Sequence, residues 1–263
     1  MSMDTVRPKK RLGQHFLKDR NTASRIVSSL TFHNGYRNLA EIGPGTGILT
    51  GSILEIPGLN TRFIEVDRDS VAYLRSHFPG IGEKLVEADF LREDLSRLFD
   101  GPFGIIGNFP YNISSQIFFR VLDNRDRVEE VVGMLQKEVA DRIASAHGNK
   151  VYGILSVLLQ AFFRVEKLFE VSPGQFNPPP KVMSTVIRLR RNDVKVLDCD
   201  ENLFFMVVKQ GFQNRRKTLR NALKPINLPV QMIQDPVLSQ RAEQLPVEAF
   251  IDLTRRIEQC RKS

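Results

Sequence analysis

The chain has 263 residues, 41% hydrophobic and 26% charged, with 38 Lys and Arg against 30 Asp and Glu and a net charge of +8. That length holds one large domain or a domain with an appendage, and that apolar content supplies a sizeable core, which excludes a disordered or fibrous chain. No apolar run suits a membrane span, the N-terminus lacks a signal-peptide segment, and neither Cys199 and Cys260 nor the four histidines show metal-ligand spacing, so a cytoplasmic protein without a metal is expected.

The basic charge is clustered. Three acid-free stretches, RPKKR (7–11), KVMSTVIRLRR (181–191) and KQGFQNRRKTLRNALK (209–224), together hold 14 positive charges, more than the whole net charge of +8. Concentrated charge of this kind is what a phosphate-tracking surface requires, and a polyanionic partner is expected.

In chain order, the first basic stretch is anchored by Leu12, Phe16 and Leu17, which argues for a segment folded over a site and against a solvated tail. Five runs with strand character follow: NLAEIG to Gly43, TRFIEVD to Asp67, KLVEAD to Asp89, FGIIGNF to Phe109 and EEVVGML to Leu135. Helical composition between them predicts a parallel sheet wrapped by crossover helices. Two later runs, FFRVEKLFEV (162–171) and STVIRLRR (184–191), leave no room for a helix between them, so the last strand is expected to return antiparallel. Past Arg191 a polar connector leads into helical sequence broken by Pro225, Pro229, Pro236 and Pro246. A boundary is therefore expected near Asn192, giving domains 1–192 and 193–263. In the second, Phe204, Phe205, Val207, Val208, Phe212, Leu219 and Leu223 read as core, and Lys209, Arg216, Arg220 and Lys224 as one exposed basic face of a single helix.

The strand ends carry the chemistry. AEIGPGTGILT (40–50) runs from strand through a glycine turn into a helix; Gly43, Gly45 and Gly47 permit close backbone approach to a ligand or simply a tight turn. Glu65 ends the next strand, where an acid can accept from both ribose hydroxyls. Asp89 ends the third, where it can accept from an adenine amino group beside Phe90. Lacking a pyrophosphate grip, such a site suits an adenosine without one, as in S-adenosyl-L-methionine. The fourth strand ends in NFPY (108–111), which alone reads either as a strand exit or as a socket for a flat ring. In the second reading the Asn108 oxygen and the Phe109 carbonyl accept the two hydrogens of a ring amine, Pro110 fixes the turn, and Tyr111 stacks on a base withdrawn from its helix.

With those residues in view, ten stretches in order resemble the ribosomal RNA adenine dimethyltransferase family: KRLGQHFL, EIGPGTGILT, FIEVDRD, ADF, GNFPYNIS, QKEVADRI, YGILSVLLQ, FNPPPKVMS, FQNRRKTLRNAL and QRAEQLPVEAF. The resemblance implies a class I, Rossmann-like fold: an α/β domain with a seven-stranded, mostly parallel sheet, followed by a small all-α domain. It implies dimethylation of two adjacent adenosines near the 3′ end of small-subunit rRNA, with S-adenosyl-L-methionine as cofactor, immature 30S particles as partner, a role in small-subunit biogenesis, and a monomer. Carried over residue by residue, Gln14, His15, Leu17, Gly43, Gly45, Glu65, Asp89, Phe90 and Asn108 hold the cofactor. Asn108, Phe109, Pro110, Tyr111 and Phe176 form the target site, with Phe176 and Tyr111 sandwiching the flipped adenine. Lys9, Lys10, Arg11, Lys181, Lys209, Arg215, Arg216, Lys217, Arg220 and Lys224 form the RNA-facing set. Two alternatives are a large-subunit rRNA dimethyltransferase conferring macrolide resistance, against which the two C-terminal stretches speak, and a non-catalytic assembly factor.

Overall fold

A computed structural model describes residues 6–262. The chain forms two compact units: residues up to 140 with 165–191, and residues 141–164 with those after 191. This differs from a single cut at 192, because residues 141–164 group with the C-terminal helices.

The first unit is built on a sheet whose strands match the sequence runs: β2 (Asn38–Ile42), β3 (Asn60–Glu65), β4 (Leu85–Glu87), β5 (Phe103–Asn108), β6 (Val128–Gln136), β7 (Phe163–Val171) and β9 (Ser184–Arg191). Their spatial order is β4-β3-β2-β5-β6-β9-β7. The pairs β2–β3, β2–β5, β3–β4 and β5–β6 are parallel, and β6–β9 is antiparallel. Helices α2 (Ile48–Leu54), α3 (Arg68–His77) and α4 (Ser114–Asp123) make the crossovers, and α1 (Arg20–Val27) precedes the sheet. Central strands covered on both faces must be apolar throughout, and Phe103 to Gly107 are all buried accordingly. On one face Leu39, Phe63, Ile106 and Val132 join Ile26 of α1, Ile53 of α2 and Leu74 of α3 in one apolar cluster.

A short ribbon has no counterpart in the sequence reading. Phe16–Leu17 (β1) pairs antiparallel with Phe176–Asn177 (β8), with Phe16 opposite Asn177 and Leu17 opposite Phe176. Two residues are too few to show a period.

The second unit holds α6 (Ile154–Gln160), α7 (Glu201–Gln213), α8 (Leu219–Ala222) and α9 (Val247–Lys262), while α5 (Lys137–Ala144) contains the crossing at 140. Asp200 caps α7 by accepting from the Leu203 N–H at 2.7 Å. Its core contains Phe204, Val207, Val208, Leu219 and Leu223, and the Phe212 ring stacks on Phe250 at 5.9 Å between centroids. Phe205 is half-buried. The expected single basic helix does not form. Helix α7 stops at Gln213, Asn214 leaves helical geometry (φ −128°, ψ 80°), and α8 starts only after Thr218. Burying Leu219, Ala222 and Leu223 turns the chain, so Lys209 lies on one helix, Arg220 on another, Arg216 in the turn between and Lys224 in a 3-10 turn.

Candidate active site

The carboxyl ends of β2, β3 and β5, with the loop after β4, wall a cleft in the first unit, and residues 12–16 form its remaining side. Parallel sheets place ligands at these ends because the crossover loops there diverge and leave backbone groups uncovered.

The glycine turn after β2 is needed for more than a bend. Gly45 has φ 57°, and a Cβ on it would stand 2.8 Å from the Phe16 ring. Its N–H donates to Glu65 Oε2 at 2.9 Å, and the Asp67 N–H donates to Glu65 Oε1 at 2.9 Å. Glu65 is only 3% exposed. Burial raises its pKa, and the two N–H bonds oppose that shift. Each carboxyl oxygen has a second lone-pair position, so the group keeps acceptor capacity for a vicinal diol. Asp89 Oδ1 accepts from the Leu91 N–H at 3.0 Å, its Oδ2 lies 3.7 Å from Arg92 Nε, and Phe90 is buried beside it. Two acids at the ends of adjacent strands, a glycine turn and no lysine at that turn fit an adenosine bearing a small aliphatic extension better than a nucleotide phosphate.

At the end of β5, Asn108 Nδ2 donates to the His15 carbonyl at 2.8 Å. That bond fixes which end of the amide is which and leaves Oδ1 as an acceptor. The Phe109 ring turns away into the core: it is 1% exposed, lies edge-on to Phe118 at 5.9 Å, and fills a notch over Gly107 and Gly133. The Pro110 carbonyl accepts from Ser114 Oγ at 2.9 Å. Tyr111 is held at both ends, its hydroxyl bonded to Ser184 Oγ and its ring stacked on His15 at 5.1 Å and 30°. Burial raises the Tyr111 pKa, so the hydroxyl stays protonated. His15 Nδ1 donates to the Pro178 carbonyl at 2.8 Å.

Gln14, His15, Gly43, Gly45, Glu65, Asp89, Phe90 and residues 108–111 thus meet around one cleft. Three expected residues do not serve as supposed. Leu17 and Phe176, 3% and 1% exposed, face each other across the β1–β8 ribbon inside the apolar cluster, so neither presents a surface to cofactor or base. Successive residues of a strand point to opposite faces, which puts Phe16 in the cleft and Leu17 in the core. Lys9 is engaged by Asp67 and Asp69 and is not offered to phosphate. Leu12 and Phe16, expected as apolar anchors of the N-terminal segment, line the cleft, and so does Val66, which is 51% exposed and was not singled out from the sequence. For Val66 the available signal was its place directly after Glu65.

Lys10 and Lys181, both exposed, flank a second cavity with Gln136, Pro179 and the His15–Tyr111 pair, and Arg11 is exposed nearby in sequence. In the second unit Lys209, Arg216, Lys217 and Lys224 are exposed, Arg220 is half-buried, and Arg215 donates to the Lys150 carbonyl. Among the described residues no group of three or more His, Cys, Asp or Glu is placed to hold a metal ion, and no helix is long and apolar enough to cross a membrane.

Residues 6–259 match the family described as ribosomal RNA adenine dimethylase. The chain is 52% identical over 252 residues to Ribosomal RNA small subunit methyltransferase A of Cytophaga hutchinsonii, covering 96% of this chain and 98% of that protein. It is 51% identical over 257 residues to the protein of the same name from Flavobacterium johnsoniae, covering 97% and 98%. Among solved structures, a dimethyladenosine transferase from Plasmodium falciparum superposes with a TM-score of 0.77 at 23% identity, over 94% of this chain and 98% of that one. The 23S rRNA methyltransferase ErmE does so with a TM-score of 0.68 at 24% identity, over 91% and 99%. Both structural likenesses concern the fold.

Proposed function

The chain belongs to the ribosomal RNA adenine dimethylase family, and on that premise we propose that it converts two adjacent adenosines near the 3′ end of small-subunit rRNA to N6,N6-dimethyladenosines. The observation that carries this reading is the orientation of Asn108: its amide nitrogen is spent on the His15 carbonyl, so its oxygen is the free pole at the cleft. The near-full-length relatives named for the small subunit support that substrate over large-subunit rRNA.

S-adenosylmethionine would supply an electrophilic methyl group on its sulfonium sulfur, the broken C–S pair leaving with neutral S-adenosylhomocysteine. Glu65 would hold its ribose hydroxyls, Asp89 its adenine amino group, and Phe90 and Val66 the adenine faces. The lone pair of the target amine is delocalised into its ring, which makes it a weak nucleophile. In the first transfer Asn108 Oδ1 and the Phe109 carbonyl accept its two N–H hydrogens, in the second one of them accepts the hydrogen that remains, and both favour positive charge as it develops on nitrogen. The alkylated nitrogen is acidic and releases its proton to water, so no ionised base is needed. Tyr111, with its hydroxyl pinned by Ser184, is a fixed platform for the withdrawn base. Lys10, Arg11 and Lys181 of the first unit, and Arg216, Lys217, Arg220 and Lys224 of the second, with Lys209 and Arg215, supply phosphate contacts to the RNA of immature small-subunit particles.

The test is methyl transfer from labelled S-adenosylmethionine to unmethylated small and large subunits. Label is expected in small subunits alone, and incorporation into large subunits would overturn the assignment. Asn108→Ala is expected to reduce transfer at least about a thousandfold while cofactor affinity stays near wild type; full turnover in that variant would remove the amine-acceptor role. Particle binding that survives Glu65→Ala while methylation fails would reveal a separate assembly role.

A further inference from the structure

A line of contacts reaches the cleft from outside it. The Lys9 ammonium donates to Asp67 Oδ1 and lies 2.7 Å from Asp69 Oδ2. Gln14 is held at both ends of its amide: Oε1 accepts from the Lys9 N–H at 2.7 Å, and Nε2 donates to Asp67 Oδ2 at 3.1 Å. The Asp67 side chain is 1% exposed, and its own N–H is one of the two donors that hold Glu65. One residue beyond Gln14, the His15 carbonyl orients the Asn108 amide, and the His15 ring lies on Tyr111 and reaches the Pro178 carbonyl. Residues 9–15 are therefore tied to the Glu65 wall through Asp67 and to the Asn108 wall through His15.

We infer that Lys9 and Asp67 are positioning residues for methyl transfer, their ion pair latching residues 9–15 across the cleft so that Glu65 and Asn108 are held in working orientation together. The inference rests on the reading of the cleft as the S-adenosylmethionine site. A nearly buried carboxylate stripped of its partner is costly, so Asp67 favours the closed segment strongly. Lys9 itself is 28% exposed, which leaves the pair on the outer side of the cleft where it can part to admit the cofactor. Neither residue lines the cleft, so their effect passes through Glu65, Gln14 and His15.

Lys9→Met, Lys9→Arg, Asp67→Asn and the double variant Lys9→Met/Asp67→Asn separate this from a phosphate contact. The readouts are calorimetric titration with S-adenosylhomocysteine, trypsin cleavage after the exposed Lys10 and Arg11, steady-state methylation of small subunits, and particle binding. Lys9→Met is expected to raise the S-adenosylhomocysteine Kd and the S-adenosylmethionine KM about tenfold, the worth of one charge-assisted hydrogen bond. At saturating cofactor kcat should stay within about twofold of wild type, since bound cofactor then holds the segment closed. S-adenosylhomocysteine should shield Lys10 and Arg11 from trypsin in the wild type and in Lys9→Arg at a concentration about tenfold lower than Lys9→Met requires, in step with the Kd. The double variant should bind no more weakly than the worse single one. Unchanged cofactor affinity and protection in Lys9→Met would overturn the latch, as would weakened particle binding with normal cofactor affinity. Melting of each variant without cofactor identifies any that fails to fold, in which case Lys9→Arg against Lys9→Met decides. A wild-type protein that binds neither ligand would overturn the cofactor reading and the latch with it.

Discussion

Glu65 at the carboxyl end of β3 and Glu130 near the start of β6 are both buried acids in apolar strands, 3% and 0% exposed, yet they are satisfied differently. Glu130 accepts from four donors: the Thr31 N–H at 3.0 Å, Thr31 Oγ1 at 2.7 Å, the Phe32 N–H at 3.1 Å and the Tyr36 hydroxyl at 2.8 Å. Burial raises the Tyr36 pKa, and Glu130 adds to the shift, so the phenol remains a donor. Glu65 accepts one backbone N–H on each oxygen and borders a cleft. Burial alone does not mark a functional acid. Acceptor capacity left over beside a cavity does, because a buried polar group is otherwise paired by its own chain.

The contrast can be broken or sharpened by substitution. The largest effect is expected from Glu65→Gln, which presents an amide hydrogen where Gly45 or Asp67 donates and weakens the ribose contact: cofactor Kd, read by calorimetry, should rise about a hundredfold or more. Glu130→Gln should leave that Kd unchanged and cost about 3 kcal/mol of stability in urea unfolding, because one of its donors loses its partner inside the core. If Glu130→Gln weakened cofactor binding without lowering stability, the two acids would not differ as described.

Glu41 of β2 offers a third case. Fully buried, with one bond from Thr50 Oγ1 at 2.7 Å, it has its pKa pushed by burial from 4.5 up to about 8. The folded protein keeps a proton that the unfolded chain releases above pH 4.5, so stability falls as pH rises from 4.5 and levels off above 8. The loss from this group by pH 7 is on the order of 3 kcal/mol, and Glu41→Gln should flatten that part of the unfolding profile. A smaller cost, about 2 kcal/mol, is expected for Gly133→Ala, which crowds the Phe109 ring. Its Cβ would lie 2.3 Å from that ring. Methylation should fall more than cofactor affinity, since Phe109 adjoins Asn108.

Much of the fold was legible because each sheet strand carries its own apolar run: STVIRLRR is β9 residue for residue, and FFRVEKLFEV differs from β7 only at its first position. The β1–β8 ribbon was not, since two residues carry no period and their pairing joins chain segments some 160 residues apart. The same pairing withdrew Leu17 and Phe176 from the site. The basic helix failed for a related reason: charge spacing counts positions along one helix, while the burial of Leu219 and Leu223 decided where the helix ended.

The sequence by itself determined the alternating α/β architecture, the antiparallel last strand, the ordering of Gly45, Glu65, Asp89 and Asn108 at successive strand ends, and the family. These are local patterns, written in period and in contiguous motifs. Only the tertiary structure decided that residues 141–164 join the helical unit, that Phe16 and not Leu17 faces the cleft, that Lys9 is bound to Asp67, and that Asn108 presents its oxygen. Each of those depends on which partner a side chain meets across the fold, and hydrogen-bond pairing and burial exist only once distant segments are brought together.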